Sequence, residues 1–353
     1  MHAAILTASI VGLEAFPIKV ETDISPGLGA FVIVGLPDAA IQEARERVWS
    51  ALKHADAPFP RTHVTVNLAP ADLRKTGTPF DLPMALAILA AQGEIPADGG
   101  KNRLIAGELG LSGDLRPVHG ALSFAMLAKE LGISEFICPS SNANEAALVP
   151  NINVKPSASL KEVIDHLRGI HSIPTKATRS LSLSDSASPA KYDFSMIRGQ
   201  HQAKRVMEIA AAGGHNVLLQ GPPGSGKTLL AKTFPTILPT LHPNETLEIT
   251  RIHSVAGFLP AEGVVHERPF RSPHHSASAV SLIGGGTHPK PGEISLAHRG
   301  TLFLDEFPEF PRCVIEALRQ PLEDGSVTVS RAQGTVTFPA RFILIAAMNP
   351  CPC

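Results

Sequence analysis

The sequence lacks a strong net charge and lacks any long apolar run. Its 353 residues carry 31 Lys and Arg against 32 Asp and Glu, a formal net charge of −1. No overall basic field therefore attracts nucleic acid, and binding to a polyanion would require local patches. No apolar stretch approaches the roughly 18 uninterrupted residues that a membrane-spanning helix needs. We expect no membrane partner.

Cysteine is scarce, and the N-terminus lacks the features of a secretion signal. The start of the chain, MHAAILTASIVGLEAF, has no basic region and carries Glu14 early, unlike a signal peptide. With 44% hydrophobic and 18% charged residues, the composition is that of a folded, soluble protein. The few thiols fit a reducing compartment, so a cytoplasmic protein is expected. The cysteines are Cys138, Cys313, Cys351 and Cys353.

The most informative stretch is residues 216–228, NVLLQGPPGSGKT. Its apolar start at 217–219 predicts a strand, and residues 229–232 predict the opening of a helix. Between them lies the pattern G-x-x-x-x-G-K-[ST], which in this context predicts a phosphate-binding loop. Backbone N–H groups and the helix N-terminus would attract phosphate oxygens. The predicted ATP-binding residues are Gly221, Pro222, Pro223, Gly224, Ser225, Gly226, Lys227 and Thr228.

Two later strands predict the rest of a nucleotide site. Lys227 would reach the β- and γ-phosphates, and the Thr228 hydroxyl would ligate Mg²⁺. The apolar run TLFLDE at 301–306 ends in Asp305, predicted to hold Mg²⁺, and Glu306, predicted to polarise the attacking water. A strand at 342–347 delivers Asn349, whose amide can contact the γ-phosphate or the water. The predicted catalytic residues are Glu306, Lys227 and Asn349.

A change in composition divides the chain. Residues 171–191 are rich in Ser, Thr, Ala and Pro and predict a flexible linker. Residues 1–170 predict a mixed α/β domain, and residues 192–353 predict an α/β nucleotide-binding domain. The predicted strands of the first domain are 31–34, 63–67 and 136–138, and its predicted helices are 39–54, 82–91 and 121–131.

Over essentially its whole length the sequence resembles the ComM/YifB family of magnesium-chelatase-like AAA+ ATPases. The segments 214–232, 271–310 and 319–353 carry the resemblance, and the run PHHSAS…LIGGG…PGEISLAH before LFLDE is the most specific. DFSMIRGQ at 193–200 resembles a segment that packs near the adenine. The resemblance implies an AAA+ P-loop NTPase α/β sandwich. It also implies a homo-hexameric helicase-like motor that binds DNA and promotes branch migration in homologous recombination and natural transformation.

The N-terminal region resembles the proteolytic domain of Lon-type proteases, an α+β domain of the ribosomal S5 domain 2-like fold. By that resemblance Pro79 stands at the position of the Lon serine and Leu122 at that of the Lon lysine. Neither side chain can act as a nucleophile or a base, so the resemblance implies no protease activity. A fold kept for binding, assembly or DNA contact is expected. Off-register candidates near the first position are Lys75, Thr76 and Thr78.

Two segments of the ATPase region are candidate effectors. By resemblance, residues 271–298 project into the central pore of a ring. Residues 325–338 alternate around a turn and predict a β-hairpin, with Arg331 at its tip as a candidate DNA contact. The first segment also holds four histidines, whose spacing matches no compact zinc pattern. They are His274, His275, His288 and His298.

The sequence stops inside NPCPC, at Cys353. Zinc at Cys351 and Cys353 is expected only in a longer chain, because four-coordinate zinc needs further ligands. In the family an arginine finger and a helical lid follow this point. The AAA+ core is therefore expected to be C-terminally incomplete and to hydrolyse ATP poorly. The alternatives are a magnesium-chelatase-type motor subunit or protein-remodelling ATPase, an active protease, and a non-catalytic adaptor.

Overall fold

The computed structural model describes residues 2–179, 192–286, 289–331 and 334–350. The chain divides into two compact units. The N-terminal unit comprises residues 1–180 and 257–264, and the C-terminal unit comprises residues 181–256 and 265–353. Both units mix helices with sheets that contain parallel strands, which confirms the predicted α/β class. No helix in the described ranges has the length and apolar character needed to cross a membrane.

Sheets and helices alternate through the described part of the N-terminal unit. The strands are β1 (His2–Val11), β2 (Glu14–Ser25), β3 (Ala30–Val34), β4 (His63–Ala69), β5 (Arg103–Ile105), β6 (Glu108–Leu109), β7 (Leu115–Arg116), β8 (Glu135–Pro139) and β9 (Asn153–Ser157). The helices are α1 (Ala39–His54), α2 (Asp81–Gln92), α3 (Ala121–Glu130), α4 (Ala143–Ala146) and α5 (Leu160–Leu167). The predicted strands and helices of this region are thus confirmed to within one or two residues at their ends.

The N-terminal unit is built on two main sheets. The larger has the order β1–β2–β4–β3, with β3 parallel to β4 and the other neighbours antiparallel. The smaller has three parallel strands in the order β5–β8–β9, and β6 pairs with β7. Helix α2 packs against β1, β2 and α1. Every residue of α2 from Asp81 to Ala91 is buried, so this helix forms the centre of the core.

One ion pair lies inside that core. Arg47 of α1 donates to both carboxylate oxygens of Asp81, at 2.6 and 3.1 Å. The Asp81 side chain is only 1% exposed. Burial raises the pKa of Asp81 to about 6, although the hydrogen bonds from Arg47 oppose that rise. The hydrogen bond to Asp81 raises the pKa of Arg47. The pair therefore fixes α1 to the start of α2.

The predicted linker begins later than its composition indicates. Ile173 is 7% exposed and belongs to the core of the N-terminal unit. Its carbonyl accepts from Lys155 Nζ at 2.6 Å, and the backbone N–H of Lys176 donates to Val154 at 2.9 Å. Residues 171–179 are thus anchored by one apolar side chain and by backbone pairing, which Ser- and Pro-rich composition does not reveal. The rest of the predicted linker, residues 180–191, lies outside the described residues.

The two positions predicted to align with the Lon dyad have structural surroundings. Leu122 is fully buried in α3, and the carbonyl of Pro79 accepts from Gly107 N at 3.1 Å. The ammonium of Lys75 donates to the carbonyl of Pro70, and the hydroxyl of Thr78 donates to Glu108. Burial lowers the pKa of Lys75. These hydrogen bonds do not join lysine to threonine, so they build no nucleophile–base pair.

The C-terminal unit is organised around a parallel sheet. Its described strands are β10 (Val217–Gln220), β11 (Phe270–Arg271), β12 (Gly284–Gly285), β13 (Lys290–Pro291), β14 (Thr301–Leu304), β15 (Ser326–Arg331), β16 (Gly334–Pro339) and β17 (Ile343–Met348). Its described helices are α6 (His201–Gly213), α7 (Lys227–Thr233), α8 (Pro243–Ala256), α9 (Ala279–Ile283), α10 (Glu293–Leu296), α11 (Arg312–Ala317) and α12 (Arg319–Asp324).

The parallel sheet has the order β10–β17–β14–β11. The remaining described strands of this unit form two antiparallel hairpins, β12–β13 and β15–β16. The second hairpin confirms the prediction for residues 325–338. Buried apolar side chains of β10, β14 and β17 pack against α6 and α7. The sheet therefore positions the loop residues that follow the carboxyl ends of its strands.

Candidate nucleotide site

Three parallel strands end together at one edge of the C-terminal sheet. In the strand register Gln220 of β10 lies opposite Met348 of β17, and Leu304 of β14 lies opposite Ala346. The phosphate-loop sequence follows β10, Asn349 follows β17, and Asp305 follows β14. Ligands of open parallel sheets bind outside the carboxyl ends of the strands. The predicted site residues thus converge at the edge where such a ligand binds.

The phosphate-loop sequence has a conformation that leaves room for an anion. Gly224 and Gly226 have φ values of 76° and 89°, which side chains rarely adopt. A Cβ atom at either glycine would meet nothing within 4 Å. The hydroxyl of Ser225 is buried, and no partner for it exists among the described residues. Together with α7, which begins at Lys227 rather than at the predicted residue 229, this loop fits a phosphate group.

The ammonium group of Lys227 connects the loop to the neighbouring strand. Its Nζ lies 2.7 Å from the carbonyl oxygen of Gly221 and 3.0 Å from that of Pro222. A third contact joins it to Oδ1 of Asn349, also at 3.0 Å. A lysine has three N–H donors, so all of them have acceptors in this arrangement. Phosphate oxygens would compete with these acceptors, because a charged acceptor binds an ammonium more strongly than a carbonyl does.

Thr228 and Asp305 form an oxygen-rich pair beside the lysine. The Thr228 hydroxyl donates to Asp305 Oδ2 at 2.9 Å, and the other carboxylate oxygen accepts from the backbone of Glu306 at 3.0 Å. Magnesium prefers hard oxygen ligands and usually keeps several waters and substrate phosphates. The donor set is therefore of the right chemistry for Mg²⁺ held between the protein and a nucleotide.

Glu306 contacts a histidine that the sequence predictions leave without a role in this site. Its Oε2 lies 3.0 Å from His275 Nδ1, and the two side chains are 52% and 35% exposed. Glu306 has a left-handed backbone, φ 52° and ψ 45°, which is uncommon for a residue with a side chain. The glutamate leads directly into the turn Phe307–Glu309. Its carboxylate therefore sits at the surface end of β14, within reach of water.

Gln200 supports the loop from the other side. Its amide nitrogen donates to the carbonyl of Ser225 at 3.3 Å, and its own backbone is left-handed with φ 52°. Gln200 lies in the segment predicted to pack near an adenine. Nothing in the sequence predicts its hydrogen bond to the phosphate loop, because a single amide carries no spacing signal. Asp193 accepts from Ser195 N at 2.8 Å and caps the short turn Phe194–Met196 that follows it.

The histidines do not form one cluster. His274 and His275 have ring centroids 4.0 Å apart. His298 instead accepts the backbone N–H of Arg341 at Nδ1 and contacts Glu248 Oε2 through Nε2 at 3.2 Å. Burial lowers the pKa of His298. Within the described ranges no three His, Cys, Asp or Glu side chains are grouped closely enough to hold a metal ion.

Several predicted positions cannot be located. His288, Cys351 and Cys353 lie outside the described residues. The backbone of Arg331 pairs with Gly334 at the end of the β15–β16 hairpin, but its side chain is not described. The zinc site and the DNA contact predicted there stay predictions.

Two family profiles match the chain. The profile described as "Magnesium chelatase, subunit ChlI" matches residues 193–353, which carry the nucleotide site. A second profile, "Subunit ChlI of Mg-chelatase", matches residues 20–142. The magnesium-chelatase 38 kDa subunit of Cereibacter sphaeroides is 27% identical over 45% of this chain and 53% of its own length. The relationship to magnesium chelatase thus extends to both units of the chain.

Two bacterial proteins are similar to this chain over nearly its whole length. It is 45% identical to the competence protein ComM of Haemophilus influenzae, over 99% of this chain and 69% of that protein. YifB of Salmonella typhimurium is 46% identical over 99% of this chain and 68% of its own. A structure of the complex between subunits BchI and BchD of magnesium chelatase matches with a TM-score of 0.38 and 24% identity, over 45% of this chain and 55% of that one. The chain belongs to the ComM/YifB family of magnesium-chelatase-like AAA+ ATPases.

Proposed function

We propose that the C-terminal unit binds ATP with Mg²⁺ and hydrolyses it. One observation carries this proposal. Lys227 and Thr228, at the start of α7, contact Asn349 and Asp305, at the ends of two neighbouring strands. Such a convergence of a lysine, a hydroxyl, a carboxylate and an amide supplies the groups that phosphoryl transfer requires. The orphan hydroxyl of Ser225 and the open space at Gly224 and Gly226 support the same reading.

Each residue has a separate role in the proposed reaction. Lys227 exchanges its carbonyl and amide acceptors for phosphate oxygens and neutralises their charge. Thr228 and Asp305 hold Mg²⁺, which supplies charge stabilisation to the phosphates when bound. Glu306 orients a water and accepts its proton. Asn349, released by Lys227, hydrogen-bonds the terminal phosphate or that water.

We further propose that this ATPase moves along DNA as a homo-hexamer in the cytoplasm and promotes branch migration during recombination of incoming DNA. The 45% identity to a protein named competence protein ComM supports a role in natural transformation. The hairpins β12–β13 and β15–β16 are the candidate DNA-contacting elements, the second through Arg331. The N-terminal unit is proposed to keep a Lon-like fold for binding or assembly, with Pro79 and Leu122 at the positions of the dyad.

The test is ATP hydrolysis by the full-length protein with and without branched DNA, beside the variant Lys227→Ala. Hydrolysis that rises with DNA and disappears in the variant supports a DNA motor. Hydrolysis that depends on Lys227 but ignores DNA favours the alternative, a magnesium-chelatase-type or protein-remodelling ATPase. If the protein shows no ATP hydrolysis that requires Lys227, both forms of the proposal are wrong. A non-catalytic adaptor then remains as the alternative.

A further inference from the structure

The side-chain amide of Gln200 contacts the phosphate loop from outside it. Its Nε2 donates to the carbonyl oxygen of Ser225 at 3.3 Å, across 25 positions of chain. Gln200 directly precedes α6, and Ser225 lies in the loop before α7. The amide takes part in none of the proposed steps of ATP hydrolysis. It acts instead on the peptide group that Ser225 shares with Gly226.

That peptide group connects the amide to the inside of the loop. The bond between Ser225 and Gly226 is trans, so its C=O and its N–H point in opposite directions within one plane. Because Gln200 holds the carbonyl on one side, the N–H of Gly226 faces the other side. This N–H makes no hydrogen bond among the described residues, and Gly226 is exposed. The N–H is therefore free to donate to an oxygen of a phosphate group.

Gln200 reaches the loop by means of an uncommon turn. Gly199 and Gln200 both have a left-handed backbone, with φ values of 65° and 52°. A residue with a side chain rarely adopts that conformation, and it persists where the surroundings hold it. Lys204 closes the turn, because its backbone N–H donates to the Gln200 carbonyl at 2.9 Å and its ammonium donates to the carbonyl of Ile197. The turn is thus anchored at both ends.

The helix after this turn is fixed against the helix after the phosphate loop. Met207 and Ala210 of α6 are buried in the same hydrophobic core as Leu230 of α7. Packing of this kind prevents one helix from moving freely against the other. Gln200, at the start of α6, is therefore a fixed support for the loop carbonyl.

We propose that Gln200 is a positioning residue that aims the N–H of Gly226 at the phosphates of the bound nucleotide. This inference rests on the nucleotide-binding part of the proposed function. Gln200 acts through the carbonyl of Ser225, so it contributes to phosphate affinity and not to recognition of the base or to the chemical step. The competing role is a contact with the adenine, which the resemblance of residues 193–200 implies. The two roles differ in the part of the nucleotide on which they act.

The experiment compares ATP with inorganic tripolyphosphate, which has the phosphates but no base. Calorimetry gives the dissociation constants of both ligands, with Mg²⁺ present, for the full-length protein and for Gln200→Met and Gln200→Gly. Methionine keeps the length of the side chain but cannot donate, and glycine relaxes the left-handed backbone. We expect both dissociation constants to rise together by roughly three- to tenfold in both variants, the effect of one hydrogen bond.

Two further measurements complete the design. The kcat for ATP hydrolysis should stay near the wild-type value in both Gln200 variants, and thermal unfolding verifies that each variant is folded. The matched control is His201→Ala, at the exposed first residue of α6. It should leave both dissociation constants unchanged, because the imidazole of His201 is not the group that holds the loop.

The outcomes separate this inference from the proposed ATPase function. Weaker binding of ATP with unchanged binding of tripolyphosphate overturns the inference, because Gln200 would then act on the base. Unchanged binding of both ligands in Gln200→Met overturns it as well. So does a loss in Gln200→Met that is absent in Gln200→Gly, because the hydrogen bond would then be irrelevant.

Failure of the ATPase proposal gives a different result. If the wild-type protein binds ATP but shows no hydrolysis that requires Lys227, the ATPase proposal is wrong. The expected rise in both dissociation constants would still support the role of Gln200. A wild-type protein that binds neither ATP nor tripolyphosphate overturns the two proposals together.

Discussion

Thr228 Oγ1 lies 2.9 Å from Asp305 Oδ2, although 77 positions of chain separate the two residues. The hydroxyl and the carboxylate thus form a ready pair of oxygen ligands. We expect Thr228→Ala to raise the Mg²⁺ concentration for half-maximal ATP hydrolysis by roughly tenfold or more, since ligand-set changes have effects of that size. Thr228→Ser keeps the hydroxyl and is the matched control. An unchanged Mg²⁺ requirement in the alanine variant would contradict the assignment.

Replacing Lys227 by alanine should remove nucleotide-dependent activity. The lysine contacts both the loop and Asn349, so its loss deletes the positive charge between the phosphates and the strand ends. We expect hydrolysis to fall by about 100-fold, the effect of losing one group that stabilises developing negative charge. Lys232→Ala, later on the same helix, is the control and should retain activity. Equal losses in both variants would indicate damage to α7 instead.

Glu306→Gln should separate binding from hydrolysis. The amide keeps the size of the side chain but cannot accept a proton from water, so hydrolysis should fall by about 100-fold or more. Nucleotide affinity, measured by calorimetry, should change little. The control is Glu309→Gln, at the exposed end of the same turn. If the Glu306 variant hydrolyses ATP at the wild-type rate, another group must activate the water.

Arg47→Met should destabilise the N-terminal unit in a pH-dependent way. Removing one partner of a buried pair costs about 3 kcal/mol at high pH, because Asp81 must then either stay charged without a partner or take up a proton. Burial already raises the pKa of Asp81 from 3.8 to about 6, and Arg47 opposes that rise. Without Arg47 the carboxyl holds its proton at still higher pH. Because this folded-state pKa exceeds the unfolded one, stability falls as pH rises through the interval between them.

The measurement is urea unfolding at pH 5 and pH 8, followed by fluorescence. Trp49 is the only tryptophan of the chain and lies on α1, the helix that carries Arg47. We expect the loss of stability in Arg47→Met to be larger at pH 8 than at pH 5. Arg45→Met, an exposed position on the same helix, is the control. A loss that is equal at both pH values would mean that Arg47 does not shift the pKa of Asp81.

The convergence of the candidate nucleotide-site residues could be predicted from sequence because each part has a local signal. Glycine spacing identifies the phosphate loop, and apolar runs ending in polar residues identify the strands that deliver Asp305 and Asn349. The contact between His275 and Glu306 has no such signal. It depends on β11 pairing with β14, and β11 is only two residues long. A strand of that length carries no periodicity. The sequence therefore offered the histidines only as candidate metal ligands, not as a contact of Glu306.

The N-terminal hairpin shows a second limit. The predicted strands do not include β1 and β2, although these are the longest strands of the unit. Pro17 lies inside β2, opposite Ala8, and proline within a run argues against a strand because it lacks an N–H donor. Residues 171–179 show the converse, since polar composition hid the burial of Ile173. In both cases tertiary packing overrides the local pattern.

The hydrogen bond between Lys227 and Asn349 joins residues 122 positions apart. During synthesis, the phosphate loop therefore leaves the ribosome long before the strand that completes its surroundings. Contacts of such large sequence separation form late, after the entropy of closing the intervening chain has been lost. ATP cannot assist the early collapse of the C-terminal unit. Under the proposed function, ATP binds only after the sheet has closed, and it then stabilises the folded unit by mass action.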